Sequence, residues 1–169
     1  MALVFLGLGS NVGDSVATIK AAFAELAGEL RNPKFSRLWR SRPRYMEDQP
    51  DFVNAAIAGE TDLEPRALLG MIQGIEAAHG RDRSREQFKG PRPLDVDILL
   101  YGDRLIAEPD LLIPHPGLRE RKFALLPLLD IAPRLVDPAT GVRFSAIAAS
   151  LPAQGIYLLG GDGYDYALA

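Results

Sequence analysis

The chain has 169 residues, 47% of them apolar and 24% charged, with a formal net charge of −3. That length suits one domain over residues 1–169 with a core that needs no staples, and the mild acidity excludes a general nucleic-acid binder. Cysteine is absent and histidine occurs only at His79 and His115, which removes disulfides, thiolate nucleophiles and a histidine-rich zinc centre and suits a cytoplasmic protein.

Ala2–Leu8 is the expected first strand. "MALVFLGLGS" lacks a basic leader and is too short to span a bilayer, so no membrane role is expected. In "GLGSNVGD", Gly7, Gly9 and Gly13 fall one residue off the dinucleotide fingerprint, and no GK[ST] follows; the stretch reads as a tight strand-to-helix turn. Val16, Ile19, Phe23, Leu26 and Leu30 recur at helical spacing, which predicts a helix over 15–30 capped by Asp14 or Ser15. Phe35–Ser41 is the second expected strand. A polar loop follows over 40–51, then a strand over Phe52–Glu60. Pro65 opens the next helix, with Leu68, Leu69, Ile72 and Ile75 as its apolar stripe and Gly80 as its terminator. Residues 81–92 form a second polar loop. Leu94–Tyr101 is a strand, and Phe123–Ile131 a short helix despite Pro127. The tail after Leu151 is Gly-rich and weakly patterned. The order strand, helix, strand, strand, helix, strand is that of an α+β, ferredoxin-like βαββαβ sandwich. Its sheet is antiparallel, with helices on one face.

The chemistry concentrates in "GPRPLDVDILLYG", residues Gly90 to Gly102. Alternate strand residues share a face, so Asp95 and Asp97 point the same way, roughly 6.6 Å apart at Cα. Leu94, Val96, Ile98 and Leu100 are expected on the other face as the anchor. Two such carboxylates can share one Mg²⁺ or bridge two; unpaired, they repel and one pKa rises. A bare Asp-x-Asp is more often a solvated edge. The preceding loop changes that weighting. Arg81, Arg83, Arg85, Lys89 and Arg92 stand there against Asp82 and Glu86. Arginine forks match phosphate oxygens, so loop and strand together read as a magnesium–polyphosphate site and point to phosphoryl transfer. "PHP" holds His115 rigidly on a loop. Asn54 lies inside a strand, where an amide needs a partner; it serves either a neighbour's backbone or the polar edge of a flat heterocycle.

Taken in order, "GLGSN", "DQPDFVNAA", "IEAAHGRDR", "GPRPLDVDILLYG" and "IPHPGLRERKFALLPLLDIAP" resemble the 6-hydroxymethyl-7,8-dihydropterin pyrophosphokinases over most of Leu3–Val136. The resemblance implies transfer of the β,γ-pyrophosphoryl group of ATP to the pterin's hydroxymethyl oxygen, with AMP released, in folate biosynthesis. It implies ATP as co-substrate and two Mg²⁺ ions on Asp95 and Asp97. Arg81 and Arg92 match phosphate-contacting, catalytic arginines. Glu76, Arg83, Ile98, His115 and Arg121 fall on the ATP side. Gly9, Ser41, Pro43, Phe52, Asn54 and Phe123 fall on the pterin side, and Ser10 and Asn11 complete the opening motif. Small-molecule substrates, no nucleic acid, no membrane and a monomer are the partners so implied. The chain departs from the family at "SRPRY", where Arg42 and Arg44 are unusual, and at "QFKGPR", where Lys89 stands in place of a tryptophan after Phe88. Three rivals remain: a single-stranded RNA module on the sheet, opposed by the missing aromatic signature; a dead or altered-substrate relative; and a magnesium nuclease or phosphatase.

Overall fold

The computed structural model describes residues 1–159; the Gly-rich end over 160–169 lies outside them. The elements are β1 (Ala2–Ser10), α1 (Ser15–Glu29), β2 (Arg31–Phe35), β3 (Trp39–Ser41), β4 (Phe52–Thr61), α2 (Pro65–Ala78), β5 (Asp95–Tyr101), β6 (Ile106–Glu108), β7 (Leu111–Ile113), α3 (Lys122–Ile131), α4 (Phe144–Ser150) and β8 (Ile156–Leu158). A 3₁₀ turn over Pro116–Arg119 precedes α3. The main sheet runs β5–β1–β4–β3–β8, with β2 also on β4, and every pairing is antiparallel. The βαββαβ order and α+β class are as the sequence suggests.

Local signals explain the ends of the elements. Asp14 caps α1 by accepting from the Ala17 N–H at 3.1 Å. Pro65 opens α2, where its missing N–H has no helical partner to lose. Gly80 sits at φ +87 just past α2, a conformation that suits glycine.

Alternation along β1 sorts the core into two layers. Val4, Leu6 and Leu8 join Val53, Ile57, Val96 and Ile98 beneath α1 and α2. Phe5 joins Ala58, Leu118, Leu125, Leu128 and Phe144 beneath α3 and α4. Helices therefore cover both faces, not one: α4 comes from a C-terminal stretch whose seven residues carry too short a stripe to be read.

Three further expectations are corrected. The strand expected over Phe35–Ser41 is two strands. Ser36 interrupts it, its N–H donating to the Ala56 carbonyl while its hydroxyl accepts from the Ala56 N–H at 2.8 Å. Leu100 does not share a face with Val96 and Ile98. The ladder slips where β1 passes from Phe5, opposite Leu100, to Leu6, opposite Ile98. That bulge sends Leu99 and Leu100 to the α3/α4 side and Tyr101 to the other. The tail supplies an edge strand, β8, whose three residues are too few for alternation to show.

Candidate active site

The site lies on the α3/α4 face at the C-terminal end of β1. Along that face of β1 the side chains shrink from Phe5 to Gly7 to Gly9. Phe5 fills the core, whereas the glycines leave space. Register then sets the rows. Gly9 stands opposite Asp95 on one side and Asn54 on the other; Gly7 stands opposite Asp97 and Ala56. A Cβ at Gly9 would come 3.7 Å from Asn54 Oδ1 and 3.8 Å from Phe52 Cδ1, and one at Gly7 would meet the Leu99 side chain at 3.2 Å. Close approach to Leu99 is what Gly7 provides, whereas a Cβ at Gly9 would make ordinary contact and take up part of the space beside Asn54 and Phe52.

The resulting slot has a volume of about 150 Å³ and is lined by Gly9, Ser41, Phe52, Asn54, Phe123 and the aspartate pair, with Tyr45, Lys89 and Arg121 at its rim. Asn54 is 4% exposed and its amide donates to Ser41 Oγ at 2.7 Å. That is the side-chain partner a buried strand amide requires. Beyond the aspartates lies an open trough lined by Arg81, Arg83, Glu86, Phe88, Lys89, Arg92, His115 and Arg121. Asp95 and Asp97 line both spaces.

The arginines are already engaged. The Arg81 side chain is 5% exposed and its Nη1 donates to Glu76 Oε1 at 2.5 Å and to Asp95 Oδ1 at 2.6 Å. Its Nε and Nη2 face Glu86. Burial works against that guanidinium's charge, but Glu86, Asp95 and Glu76 outweigh it and raise its pKa. Arg92 donates to Asp95 Oδ2 at 2.9 Å, and its buried Nε has no acceptor among the described residues. Glu76 is 1% exposed; it accepts from the Val96 N–H at 2.9 Å and from Arg83 at 2.6 Å. One buried carboxylate thus ties α2, β5 and the basic loop together.

Asp97 has no such arginine bond among the described residues; His115 Nε2 is 3.7 Å away. Desolvation in the cleft, then the Asp95 and Glu76 charges, push its carboxyl well above the usual range, against the pull of Arg92 and Arg121. A divalent cation would relieve that repulsion. Burial, then the Arg121 charge, lower the His115 pKa, so its ring is neutral near pH 7. Its Nδ1 accepts from the Gly117 N–H at 3.0 Å, which leaves Nε2 carrying the proton.

The polar loops meet over the slot. Gln49 Nε2 donates to the Lys89 carbonyl at 3.2 Å, and Asn11 Nδ2 donates to Gln49 Oε1 at 2.9 Å. Asn11 also pairs with the Arg92 backbone in both directions. The Lys89 ammonium lies 3.3 Å above the Tyr45 ring centroid, while the Phe88 ring is 86% exposed.

Of the residues expected from the sequence, Asp95, Asp97, Arg81, Arg83, Arg92, His115, Arg121, Gly9, Ser41, Phe52, Asn54 and Phe123 come together around the two spaces. Glu76 sits behind them. Ile98 belongs to the core under α1 and α2, and neither it nor Pro43 lines either space. Sequence reasoning missed Tyr45, Gln49 and Glu86. Gln49 could have been found, since it lies within "DQPDFVNAA"; Tyr45 belongs to a loop without periodicity.

The family model for 7,8-dihydro-6-hydroxymethylpterin-pyrophosphokinase matches residues 5–133. A 2-amino-4-hydroxy-6-hydroxymethyldihydropteridine pyrophosphokinase of Aquifex aeolicus is 42% identical over 139 residues, covering 82% of this chain and 85% of that protein. A protein of the same name from Methylorubrum extorquens is 42% identical over 145 residues, covering 85% and 90%. The folic acid synthesis protein fol1 of Pneumocystis carinii is 41% identical over 144 residues, and the matched region spans 19% of that longer protein. The crystal structure of Plasmodium falciparum HPPK-DHPS with pteroate has a TM-score of 0.69 at 16% identity, over 88% of this chain and 42% of that one. At that identity the likeness speaks for the fold alone.

Proposed function

Because the chain belongs to the 7,8-dihydro-6-hydroxymethylpterin-pyrophosphokinase family, we propose that it transfers the β,γ-diphosphate of ATP to the hydroxymethyl oxygen of 6-hydroxymethyl-7,8-dihydropterin and releases AMP. The observation that carries this reading is the wall shared by slot and trough. A flat ring in the slot and a polyphosphate in the trough would meet at Asp95 and Asp97.

In this reading Phe52 and Phe123 sandwich the pterin, and Asn54, held by Ser41, reads its polar edge. Gly9 is the floor. Arg81, Arg83, Arg92, Arg121 and neutral His115 hold the triphosphate, and the unpartnered Arg92 Nε is a donor awaiting an anionic oxygen. The hydroxymethyl oxygen bonds to the β-phosphorus. The bond from that phosphorus to the α,β-bridging oxygen breaks, that oxygen leaves with the electron pair as part of AMP, and the hydroxyl proton is lost to solvent.

Asp95 and Asp97 would hold Mg²⁺, taken as two ions. The fit is chemical: Mg²⁺ takes one or two carboxylates and completes its shell with phosphates and water. No group of three or more ligating side chains exists among the described residues, so phosphate oxygens and water would supply the remainder. When bound, Mg²⁺ neutralises phosphate charge and lowers the pKa of the hydroxyl. The loops over 40–51 and 81–92, already joined at Gln49 and Lys89, keep competing water from the β-phosphorus.

No helix among the described residues is long and apolar enough to cross a membrane. The reading takes the protein as a cytoplasmic monomer acting on small-molecule substrates. Incubation with MgATP and the hydroxymethyl dihydropterin should yield AMP and the pterin diphosphate. ADP or inorganic phosphate in their place would overturn the assignment.

A further inference from the structure

Glu86 is a carboxylate of the trough that the proposed chemistry does not use. Among the described residues, three carboxylates line that space: Asp95, Asp97 and Glu86. The first two have a cation to hold. Glu86 instead takes the outer edge of Arg81, with Oε1 2.5 Å from Nε and Oε2 3.2 Å from Nη2. Two parallel contacts to one guanidinium edge are the arrangement in which arginine takes either a carboxylate or a phosphate.

The other partners of Arg81 leave its Nε–Nη2 edge to Glu86. Glu76 and Asp95 both bond Nη1, from α2 and β5, and Asp95 itself lines the trough with a cation to hold. Glu86 reaches the opposite edge from a loop position outside any helix or strand, with its side chain 20% exposed. It therefore occupies the Arg81 edge that opens on the trough, and its own tether is the one able to move.

We propose that Glu86 is an internal stand-in for a phosphate group: it satisfies Arg81 while the trough is empty, and the polyphosphate of the nucleotide displaces it. This rests on the nucleotide reading above. The exchange has a physical logic. A buried guanidinium left unpaired on one edge is costly, so a carboxylate there stabilises the empty cleft. The same carboxylate opposes a second anion, so it sets nucleotide affinity below what the cationic lining would otherwise provide. Wild-type binding then includes the work of breaking the Arg81–Glu86 pair.

The test is calorimetric titration of wild type, Glu86→Gln and Glu86→Ala with Mg²⁺–α,β-methylene-ATP, which cannot undergo the transfer. Glu86→Gln keeps the shape and removes the charge. Both variants should bind about ten- to a hundredfold more tightly than wild type, the range expected for release of one charged hydrogen-bonded contact. Metal-free tripolyphosphate should show the same order, because the competition is for Arg81 and not for the aspartates. Equal or weaker binding by both variants, with wild type binding normally, would make Glu86 a loop anchor and overturn the proposal alone. Absence of nucleotide binding by wild type would overturn the proposal together with the reading on which it rests.

Discussion

The slot and the trough share the Asp95–Asp97 wall but are held open by different means. The slot belongs to the sheet. Gly9, Asn54 and Ser41 are placed by backbone pairing, and Phe5 fills the same face of β1 beyond Gly7, in the core. The trough belongs to ion pairs. Its loop over 81–92 has neither helix nor strand and is positioned by Arg81, Arg83 and Arg92 on Glu76, Glu86 and Asp95. The shape of the slot is thus fixed by hydrogen-bond register, whereas the trough is shaped by charge pairs, which under the proposal the ligand must exchange.

Substitution at the wall should disable both halves and give the largest effect. Asp97→Asn should reduce turnover by at least about 10³-fold, the several kcal/mol expected for losing a metal-binding carboxylate. It should also raise the melting temperature of the metal-free protein near pH 7, by only about 1–2 °C because the side chain is 43% exposed and solvent screens the repulsion. The sign follows from the raised pKa of Asp97. A folded state that holds the proton more tightly than the unfolded chain is favoured at acid pH, and that advantage is lost as pH rises through the folded-state value. The amide introduced by Asp97→Asn cannot ionise, so the gain should vanish at acid pH. Near-normal activity would remove the wall from the comparison.

Arg81→Met, on the trough side, should cost about 3–5 kcal/mol of stability in denaturant unfolding, because it leaves the buried Glu76 charge with less compensation. Nucleotide binding should fail with it. On the slot side, Asn54→Leu should raise the KM for the pterin by roughly 10–100-fold, while affinity for the ATP analogue stays within about twofold of wild type. An equal loss of both substrates would show that the two spaces are not separately built. Phe88→Ala is the smallest expected effect. Its ring is 86% exposed, so the KM for either substrate should shift by less than about twofold; a loss of tenfold would make Phe88 a lid that closes on the ligand.

Legibility in the sequence followed the range of the signal. The helices α1 and α2 were readable because several turns repeat one stripe. Asp95 and Asp97 were readable as a one-sided pair because period 2 needs only three residues. Leu100 was misplaced because the bulge that moves it is set by β1, a distant partner. Glu86 carried no pattern, and its role appeared only when its oxygens were found on Arg81. Tyr45 and Lys89 are 44 positions apart in the chain, so nothing local announces that ring and ammonium are in contact.

By itself, the sequence determined the βαββαβ outline as far as Tyr101, the common face of the two aspartates and the cationic character of the loop before them. Those are consequences of backbone periodicity and composition over a few residues. The tertiary structure decided that Gly9 separates Asp95 from Asn54, that helices cover both faces, and that Arg81, Arg83 and Arg92 are already paired. The first two depend on contacts between segments far apart in the chain, settled by packing and register; the arginine pairs span only 3 to 14 positions but join a loop to α2 and β5 without any periodic pattern to announce them.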